Sequence, residues 1–443
     1  MRGLEKDLCS IVKDAGIVGA GGAGFPTHVK LNAKAEYVIV NGAECEPLLR
    51  VDQNLMAIEA RKLLEGLKLI KENVGVKYGV IALKEKYKKA ISSLEEIIGE
   101  YEGMSLHKLK NFYPAGDEQI LVYEVTGRVI PEGGIPLNVG AIVSNVETIA
   151  NVYDAYYNSQ AVVEKYVTIT GEVNNPCTLK LPIGITVEEA IILAGGSKVE
   201  EFVVVNGGPM MGKIIDKATP ITKTTKGLIV LSKEHSLVKS LNRDLNDMLR
   251  VAKGACMHCN HCSEVCPRNL IGHNINPHKL IRMASYSSIC DNNTSPTTAF
   301  LCCECRLCEY ACVMDLQPWK LHSSLKKQMS SSNIKNDNNA QGKAHPFREY
   351  RKYPVSKLIA KLGLTKYDVS ADIKDLDKEF NKVEILLRQH IGAPSIPIVE
   401  VGDYVTKGQL IADIDENKLG SKIHSSISGK VIEISSESII IQS

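Results

Sequence analysis

The chain has 443 residues, of which 44% are hydrophobic and 23% are charged, a composition typical of a globular protein with several domains. Its formal net charge is only +2, so it has no broad basic surface for nucleic acid, and we predict no nucleic-acid partner. The sequence shows neither a signal-peptide core at its N-terminus nor an apolar run long enough to span a bilayer. We therefore expect a cytoplasmic protein without direct membrane insertion.

The first 160 residues predict an α/β domain. A glycine-rich loop, 16–28, lies between a short helix and a strand of buried character at 37–40, and a second strand covers 78–83. The alternation of helices and strands continues to about residue 158. Because such alternation builds an open sheet with helices packed on it, residues 1–160 are predicted as a Rossmann-like domain.

Residues 161–235 predict a smaller module that is rich in strands. Threonines alternate with aliphatic residues over 166–171. A short helix over 187–194 ends at two glycines, and a strand follows at 202–205. This order predicts a compact strand–helix–strand module placed directly after the first domain.

The remaining chain divides into three parts by composition. Residues 236–328 are predicted to be largely helical, and they contain most of the cysteines. Residues 329–346 are polar and low in aromatic side chains, which predicts a disordered linker. Within 347–443, short strands separated by turns such as Gly402–Asp403 and Ser428–Gly429 predict a small barrel or sandwich of strands.

Eight cysteines form two runs of identical spacing. Each run has three cysteines at two-residue gaps and a fourth after three further residues, which is the pattern of two-cluster ferredoxins. In such proteins the fourth cysteine of one run ligates the cluster of the other run. The predicted ligands are Cys256, Cys259, Cys262 and Cys312 for one [4Fe-4S] cluster and Cys302, Cys305, Cys308 and Cys266 for the other. A pair of zinc sites is the alternative, but two complete four-cysteine runs favour the clusters.

The glycine loop at 19–24 fits the dinucleotide-binding pattern G-x-G-x-x-G. That pattern normally follows a strand and opens a helix, whereas this loop follows a helix and precedes Phe25–Pro26. A standard Rossmann site and a purely structural turn are therefore less favoured than a loop whose glycines let a flat cofactor lie against the backbone. Downstream, a predicted strand ends in the loop 41–47. Its two acidic residues, Glu44 and Glu46, are suited to accept hydrogen bonds from the hydroxyl or amide groups of a nucleotide cofactor.

Four motifs of the first domain resemble those of one protein family. They are GAGGAGFPTHVK at 19–30, NGAECEP at 41–47, Gly116–Asp117–Glu118 and SNVET at 144–148. In this order they are similar to motifs of the FMN- and NADH-binding subunit of respiratory complex I and of the C subunit of the Rnf electron-transport complex. The resemblance implies FMN as a bound cofactor and NADH as a substrate.

The same resemblance implies roles for individual residues. Phe25 and Glu46 would contact the nicotinamide nucleotide, and Glu118 would lie between the two cofactors, so Glu46 and Glu118 are the predicted catalytic residues. The other residues expected to bind the cofactors are Gly19, Gly21, Gly22, Gly24, Lys30, Asn41, Glu44, Gly116, Asp117, Asn145 and Thr148. Ala43 departs from the complex I pattern, which has an acidic residue there, and Cys45 also lies outside that pattern.

The resemblance extends to the other parts of the chain. Residues 166–213 are similar to the soluble-ligand-binding β-grasp (SLBB) module of this family. The sequence 401–434 resembles the barrel-sandwich hybrid fold of lipoyl and biotinyl domains, without an evident lysine in the setting that is modified there. The predicted fold class is thus a multidomain α/β protein with a Rossmann-like FMN/NADH domain, a β-grasp module, a helical two-cluster domain and a C-terminal barrel-sandwich hybrid.

The domain order, with the flavin domain first and the barrel last, closely resembles that of the cobalamin reductases of propanediol-utilisation microcompartments. The resemblance implies an NADH-dependent oxidoreductase that passes electrons through FMN and two [4Fe-4S] clusters to a corrinoid or a corrinoid-handling protein. It also makes association with a bacterial microcompartment in the cytoplasm an open possibility, which the sequence does not decide. Two alternatives stay open. One is an electron-transfer subunit, like the Rnf C subunit, that serves a protein or membrane partner, and the other is a non-enzymatic docking protein that carries clusters.

Overall fold

The computed structural model describes residues 7–286 and 295–443. The elements of the first domain are α1 Leu8–Asp14, α2 Thr27–Leu31, β1 Tyr37–Gly42, α3 Val51–Ile58, α4 Ala60–Val74, β2 Tyr78–Lys84, α5 Lys88–Ile97, β3 Met104–Leu109, β4 Phe112–Tyr113, α6 Glu118–Thr126, β5 Ala141–Asn145 and α7 Val146–Asn158, with 3₁₀ helices at Ile98–Glu100 and Pro136–Val139. Four strands form one parallel sheet in the order β3–β2–β1–β5. This sheet confirms the predicted Rossmann-like class.

Strand β1 shows why the sheet lies between two layers of helices. Val38 and Val40 pack with Leu63 of α4, whereas Ile39 packs on the opposite face with Leu121 of α6. Successive side chains of a strand point to opposite faces, so a strand buried on both sides needs an uninterrupted aliphatic run. Strands β2 and β5 flank β1 on opposite sides, and the carboxyl ends of β1 and β5 therefore form the switch point at which such sheets bind ligands.

The second domain is a mixed sheet packed on one short helix. Its elements are β6 Glu164–Gly171, β7 Cys177–Pro182, α8 Val187–Leu193, β8 Phe202–Asn206, β9 Lys213–Ile215 and β10 Gly227–Ser232. The strands lie in the order β7–β6–β10–β8–β9, with β6 and β10 parallel. Helix α8 begins at a capping box in which Thr186 and Glu189 each accept a bond from the other's backbone N–H. The sheet and its helix match the predicted β-grasp module.

The cysteine-rich domain is helical in its described part, as predicted. Its elements are α9 Ser236–Asn242, α10 Leu245–Ala255, α11 His261–Glu264, α12 Pro267–Leu270, α13 Pro277–Tyr286, a 3₁₀ helix at Pro296–Leu301, α14 Leu307–Ala311 and α15 Pro318–Ser331. Helices α10, α13 and α15 pack around Met248, Leu280 and Leu321. The eight cysteines predicted as cluster ligands lie in short connections and short helices of this domain.

The segment predicted as a linker, 329–346, begins within α15, which ends at Ser331. Residues 332–346 form irregular chain that contacts the first domain. Glu132 N donates to Ala340 O at 3.1 Å, and Asn338 Nδ2 donates to the Glu132 carboxylate. The disorder of this segment and the proposed domain boundaries stay predictions.

The C-terminal region ends in two small facing sheets. Its elements are α16 Arg348–Arg351, β11 Tyr353–Pro354, α17 Val355–Lys361, a 3₁₀ helix at Thr365–Tyr367, β12 Ile373–Lys374, β13 Lys382–Leu386, β14 Ile396–Pro397, β15 Tyr404–Val405, β16 Leu410–Asp413, β17 Ile423–His424, β18 Gly429–Ile434 and β19 Ser438–Gln442. The sheets have the orders β13–β19–β18–β15 and β14–β16–β17. Val383, Ile411 and Ile439 fill the core between them, as a barrel-sandwich fold requires.

Lys223 joins the first domain, the second domain and the barrel. Its Nζ is buried and donates to the carbonyl oxygens of Gly16 and Lys422, each at 2.7 Å. Burial lowers the pKa of Lys223 to about 7. Burial, followed by the nearby charge of Lys223, lowers the pKa values of His390 and His424 to about 4. The junction therefore favours uncharged bases.

A Lys223→Met variant should remove a pH dependence of stability. The folded pKa of about 7 lies below the ordinary 10.5, so the unfolded chain binds more protons between these values and stability should rise with pH there. One such group changes stability by up to about 1.4 kcal/mol per pH unit. Melting temperatures from pH 7 to 10 should rise more steeply for the wild type than for Lys223→Met. A Lys34→Met control at an exposed position should keep the wild-type slope, and an unchanged slope in Lys223→Met would refute the prediction.

Candidate cofactor and electron-transfer site

The ends of β1 and β5 bring two predicted asparagines together. Asn41 and Asn145 are direct neighbours in the parallel register, at the carboxyl ends of their strands. Asn41 Nδ2 donates to Gly116 O at 2.8 Å. Asn145 Oδ1 accepts from Glu147 N at 3.0 Å and so begins α7. These bonds hold both side chains at the switch point of the sheet, where a cofactor is expected.

The glycine loop lies next to these asparagines. Ala20 N donates to Thr148 Oγ1 at 2.9 Å, which anchors the loop on α7. A Cβ atom on Gly21 would lie 3.3 Å from Asn145 Nδ2, so glycine allows this close approach. The tip of the loop, 21–23, is exposed. A flat group can therefore reach the backbone of the tip while the base of the loop stays fixed to the sheet.

Two further glycines of the loop have left-handed backbone, with φ of +88° at Gly22 and +70° at Gly24. A Cβ atom on Gly22 would have no atom within 4 Å among the described residues. A Cβ atom on Gly24 would lie 2.8 Å from Thr224 Cγ2 and 3.1 Å from Gln389 O. Gly24 is thus packed against the second domain and the barrel, whereas Gly22 faces open space.

Alanine at these two glycines should have different effects. Both variants carry the left-handed strain of about 1–2 kcal/mol, but only Gly24→Ala adds a steric clash. We expect Gly24→Ala to lower the melting temperature more, and Gly22→Ala to lose more FMN because its methyl group enters the space beside the loop. Melting temperatures and the molar ratio of FMN to chain measure the two effects. Full FMN retention by Gly22→Ala would argue against this face as the flavin surface.

Lys30, Phe25 and Glu118 form a second predicted group. Lys30 Nζ donates to Val143 O at 2.9 Å, and it lies 3.4 Å from Glu118 Oε1 and 5.9 Å from the centre of the Phe25 ring. Phe25 O accepts from Gly19 N at 2.9 Å, which closes the glycine loop. The Glu118 side chain is 49% exposed, so this ion pair contributes little to stability. Both charged groups are available to a bound cofactor.

A buried ion pair supports the glycine loop from below. Lys165 Nζ donates to Glu147 Oε2 and, at 3.0 Å, to Ala20 O within the loop. Both charged side chains are only 2% exposed. This pair was not predicted from the sequence, because adjacent charges such as Glu164–Lys165 usually indicate a solvated surface. Glu147 lies within the recognised SNVET motif, and that position was its only signal.

Glu44 lies against α3 instead of facing open space. Its Oε1 accepts from Asp52 N at 2.9 Å and its Oε2 from Gln53 N at 3.2 Å. Burial, and next the charge of Asp52, raise the pKa of Glu44. Asp52 also pairs with Lys226 and accepts from Asn145 Nδ2 at 3.0 Å, yet its buried Oδ1 has no partner among the described residues. Such an orphaned acceptor next to a predicted flavin residue fits a site that a hydrogen-bonding cofactor completes.

The turn before α6 faces the cysteine-rich domain. Gly116 N donates to Cys45 Sγ at 2.5 Å, and a Cβ atom on Gly116 would lie 2.9 Å from Asn41 Oδ1. Asp117 Oδ1 accepts from two N–H groups of the first turn of α6. Asp117 Oδ2 accepts from Arg268 Nη2 at 2.8 Å. Asp117 is predicted to bind a cofactor. Through Arg268, which lies two residues after the predicted ligand Cys266, it also links the first domain to the cysteine-rich domain.

Glu46 faces the second domain. Its carboxylate accepts from Met210 N at 2.8 Å, Met211 N at 3.2 Å and Tyr113 OH at 3.3 Å. Burial is the largest influence and raises the pKa of Glu46 above its ordinary value, although these donors and the charge of Arg306 partly oppose the increase. The structure thus holds Glu46 at a domain junction, and its contact with the nicotinamide nucleotide stays a prediction.

The second group of cysteines, which consists of Cys266, Cys302, Cys305 and Cys308, lines one small cavity. The lining consists of Cys266, Cys302, Cys303, Cys305, Cys308, Pro267, Ile275, Pro277, Arg306, Trp319 and His322. Burial, together with neighbouring thiols that include Cys302 and Cys266, raises the pKa of Cys308. Four predicted ligands on one small cavity with apolar walls fit a [4Fe-4S] cluster, which is held by four thiolates.

The first group of cysteines, which consists of Cys256, Cys259, Cys262 and Cys312, lies nearer the surface. Burial raises the pKa of Cys262 to about 12, and the charges of Cys312, Cys256 and Cys259 add to this effect. Cys259 is exposed. Cys312 and Cys256 pack against one hydrophobic cluster, whereas Cys266 packs with Cys302 in another, which is the arrangement that an exchange of fourth ligands requires. In the part of the chain that the structure describes, no three His, Cys, Asp or Glu side chains converge as ligands of a single metal ion.

Four family models match successive parts of the chain. They are the Nuo51 FMN-binding domain over residues 12–154, the SLBB domain over 166–213, the 4Fe-4S dicluster domain over 255–317 and the RnfC barrel sandwich hybrid domain over 367–443. These matches confirm the predicted fold class and the cofactors, FMN and a pair of [4Fe-4S] clusters. None of the described helices is both long and apolar enough to cross a membrane.

Relatives match nearly the whole chain. Cobalamin reductase PduS of Citrobacter freundii is 42% identical over 97% of this chain and 95% of its own length, and PduS of Salmonella typhimurium is 41% identical with the same coverage. The C subunit of the Na(+)-translocating ferredoxin:NAD(+) oxidoreductase complex of Acetobacterium woodii is 37% identical over 59% of this chain and 57% of its own length. The protein is therefore an electron-transfer oxidoreductase, and it belongs to the cobalamin reductase PduS family.

Proposed function

We propose that the protein is an NADH-dependent corrinoid reductase. Electrons would pass from NADH through FMN and both [4Fe-4S] clusters to cob(III)alamin or cob(II)alamin, toward cob(I)alamin. The observation that carries the proposal is the ion pair between Asp117 and Arg268, which joins the glycine-loop domain to the second group of cysteines. The names of the two relatives with near-complete coverage support a corrinoid as the acceptor, and association with a bacterial microcompartment is part of the same proposal.

The residues at the switch point would hold FMN in place. The exposed backbone of 21–23, Lys30 and Asn145 would contact it, and Phe25 and Glu118 would lie toward the nicotinamide. When bound, FMN takes two electrons from NADH as a hydride and can release them singly. Thr148 and Lys165, which both bond to the backbone of Ala20, keep the base of the loop fixed.

The two cysteine groups would act in a fixed order. The second group lies against the first domain, because Arg268, two residues after Cys266, donates to Asp117 Oδ2 at 2.8 Å. The first group is exposed at Cys259. We therefore place the second group next to the flavin and the first group at the exit toward the acceptor.

The test is an anaerobic reduction of the reconstituted protein by NADH, followed in the visible spectrum with and without hydroxocobalamin. We expect the flavin and cluster bands to bleach with NADH and to recover when the corrinoid is added, as reduced corrinoid forms. A Lys30→Met variant should lose the bleaching, and the nearby surface variant Lys34→Met should keep it. Absence of bleaching in flavin-loaded wild-type protein would refute NADH as the donor and favour a docking protein.

A second candidate function is delivery of electrons to a protein partner. The 37% identity to the C subunit of the Acetobacterium woodii complex favours it, although that match covers 59% of the chain. In this case NADH would still bleach the bands, but the corrinoid would not restore them. The corrinoid step of the same experiment therefore separates the two acceptors.

A further inference from the structure

Glu46 occupies a cradle made by the loop 206–212 of the second domain, called here the amide loop. Met210 N and Met211 N donate to its two carboxylate oxygens at 2.8 and 3.2 Å. A Cβ atom on Gly208 would lie only 2.0 Å from Glu46 Oε2, and one on Gly212 would lie 2.3 Å from Gly208 O. The two glycines thus leave room for the carboxylate, and the loop presents backbone N–H groups to it as an anion-binding nest does.

Arg306 holds the other end of the amide loop. It follows Cys305 directly, and its Nη2 donates to Gly212 O at 3.1 Å. The residue is 7% exposed, its guanidinium lies 4.4 Å from the centre of the Trp319 ring, and its Nη1 has no hydrogen-bond partner among the described residues. Arg306 also lines the cavity of the second cysteine group. The amide loop is therefore hydrogen-bonded both to Glu46 of the first domain and to Arg306 of the cysteine-rich domain.

Tyr113 connects Glu46 with the same cysteines. Its hydroxyl donates to Glu46 Oε1 at 3.3 Å. Tyr113 and Cys305 are buried in the same hydrophobic cluster, so the ring lies beside this predicted ligand. Glu46 thus approaches the second cysteine group by two routes, through Tyr113 and through the amide loop with Arg306.

We propose that Glu46 is a positioning residue for the second [4Fe-4S] cluster, and that it acts through the amide loop and Tyr113. Three donors already occupy its carboxylate. The charge of Glu46 makes this cluster harder to reduce, and the charge of Arg306 makes it easier, because nearby charges set cluster potentials. The inference rests on the proposed flow of electrons from the flavin to this cluster.

The test is an anaerobic redox titration of the reconstituted protein with dithionite at pH 8, followed by electron paramagnetic resonance. The signal of the second cluster is identified by its loss in Cys305→Ser. Glu46→Gln should raise the potential of this cluster, Arg306→Gln should lower it, and Arg306→Lys should stay near the wild type. A Glu102→Gln control, at an exposed position of the first domain, should leave the potential unchanged.

Stopped-flow reduction by NADH provides the second readout. Arg306→Gln should reduce its flavin at the wild-type rate and with the wild-type dependence on NADH, while the later bleaching of the clusters changes. An unchanged cluster potential in both Glu46→Gln and Arg306→Gln would overturn the inference. If Glu46→Gln takes up no clusters, the two arginine variants decide, and equal potentials in Arg306→Gln and Arg306→Lys would overturn it. Failure of NADH to reduce wild-type flavin would refute the proposed function alone, because the dithionite titration needs no NADH.

Discussion

A Cys266→Ser variant is expected to lose the same [4Fe-4S] cluster as a Cys308→Ser variant, although Cys266 belongs to the other run in the sequence. The structure places Cys266 and Cys308 on one cavity, and Cys312 near Cys262. Serine is a poor substitute for a thiolate ligand, so each variant should lose about half of its iron. Cys312→Ser should instead match Cys256→Ser.

Iron content and electron paramagnetic resonance spectra of the four reduced variants measure this exchange of ligands. In Cys266→Ser and Cys308→Ser we also expect NADH to bleach the flavin while the remaining cluster is reduced slowly or not at all. Gly254→Ser, at an exposed position shortly before the first run, is the control and should keep both clusters. If Cys266→Ser and Cys256→Ser lose the same cluster signal, each run binds its own cluster and the predicted exchange is wrong.

Lys165→Met is expected to destabilise the first domain by about 3–5 kcal/mol, because it leaves the buried Glu147 carboxylate without its counter-charge. The pair is 2% exposed on both sides, and Lys165 also donates to Ala20 O in the glycine loop at 3.0 Å. The variant should therefore lose FMN as well as stability. A Lys165→Met, Glu147→Leu double variant should recover part of the stability, because it removes the unpaired charge.

Denaturant midpoints and FMN content of the purified proteins test this expectation. Lys180→Met is the matched control, since Lys180 pairs with Glu164 in the same strand pair but is 46% exposed. It should lose no more than about 1 kcal/mol. Equal losses in Lys165→Met and Lys180→Met would show that the buried pair has no special role beneath the loop.

Much of the site is local in sequence and was therefore predictable. Three ligands of each cluster lie at short fixed spacings, so the runs beginning at Cys256 and Cys302 can be recognised as cluster ligands from the sequence. The strand at 37–42 and the glycine loop beside it are likewise encoded by adjacent residues, as an aliphatic run and as glycines whose backbone must be approached closely.

Tertiary structure alone decided which groups the acidic residues meet. The sequence predicts that Glu44, Glu46 and Asp117 bind cofactors, and this stays a prediction. The structure adds that their carboxylates accept hydrogen bonds from the start of α3, the amide loop and Arg268. Each partner except that of Glu44 comes from a distant segment. No periodicity or spacing in one segment can specify a contact of this kind.

The sequence by itself determined the fold class, the two cysteine runs and the family motifs, because these depend on neighbours along the chain. Only the tertiary structure showed that Lys165 and Lys223 are buried and that the loop 206–212 holds Glu46. A lysine looks the same in a sequence whether it is solvated or buried. Its environment is set by domains that pack on it from elsewhere in the chain, and the cost of burying its charge can be offset only by partners that those domains supply.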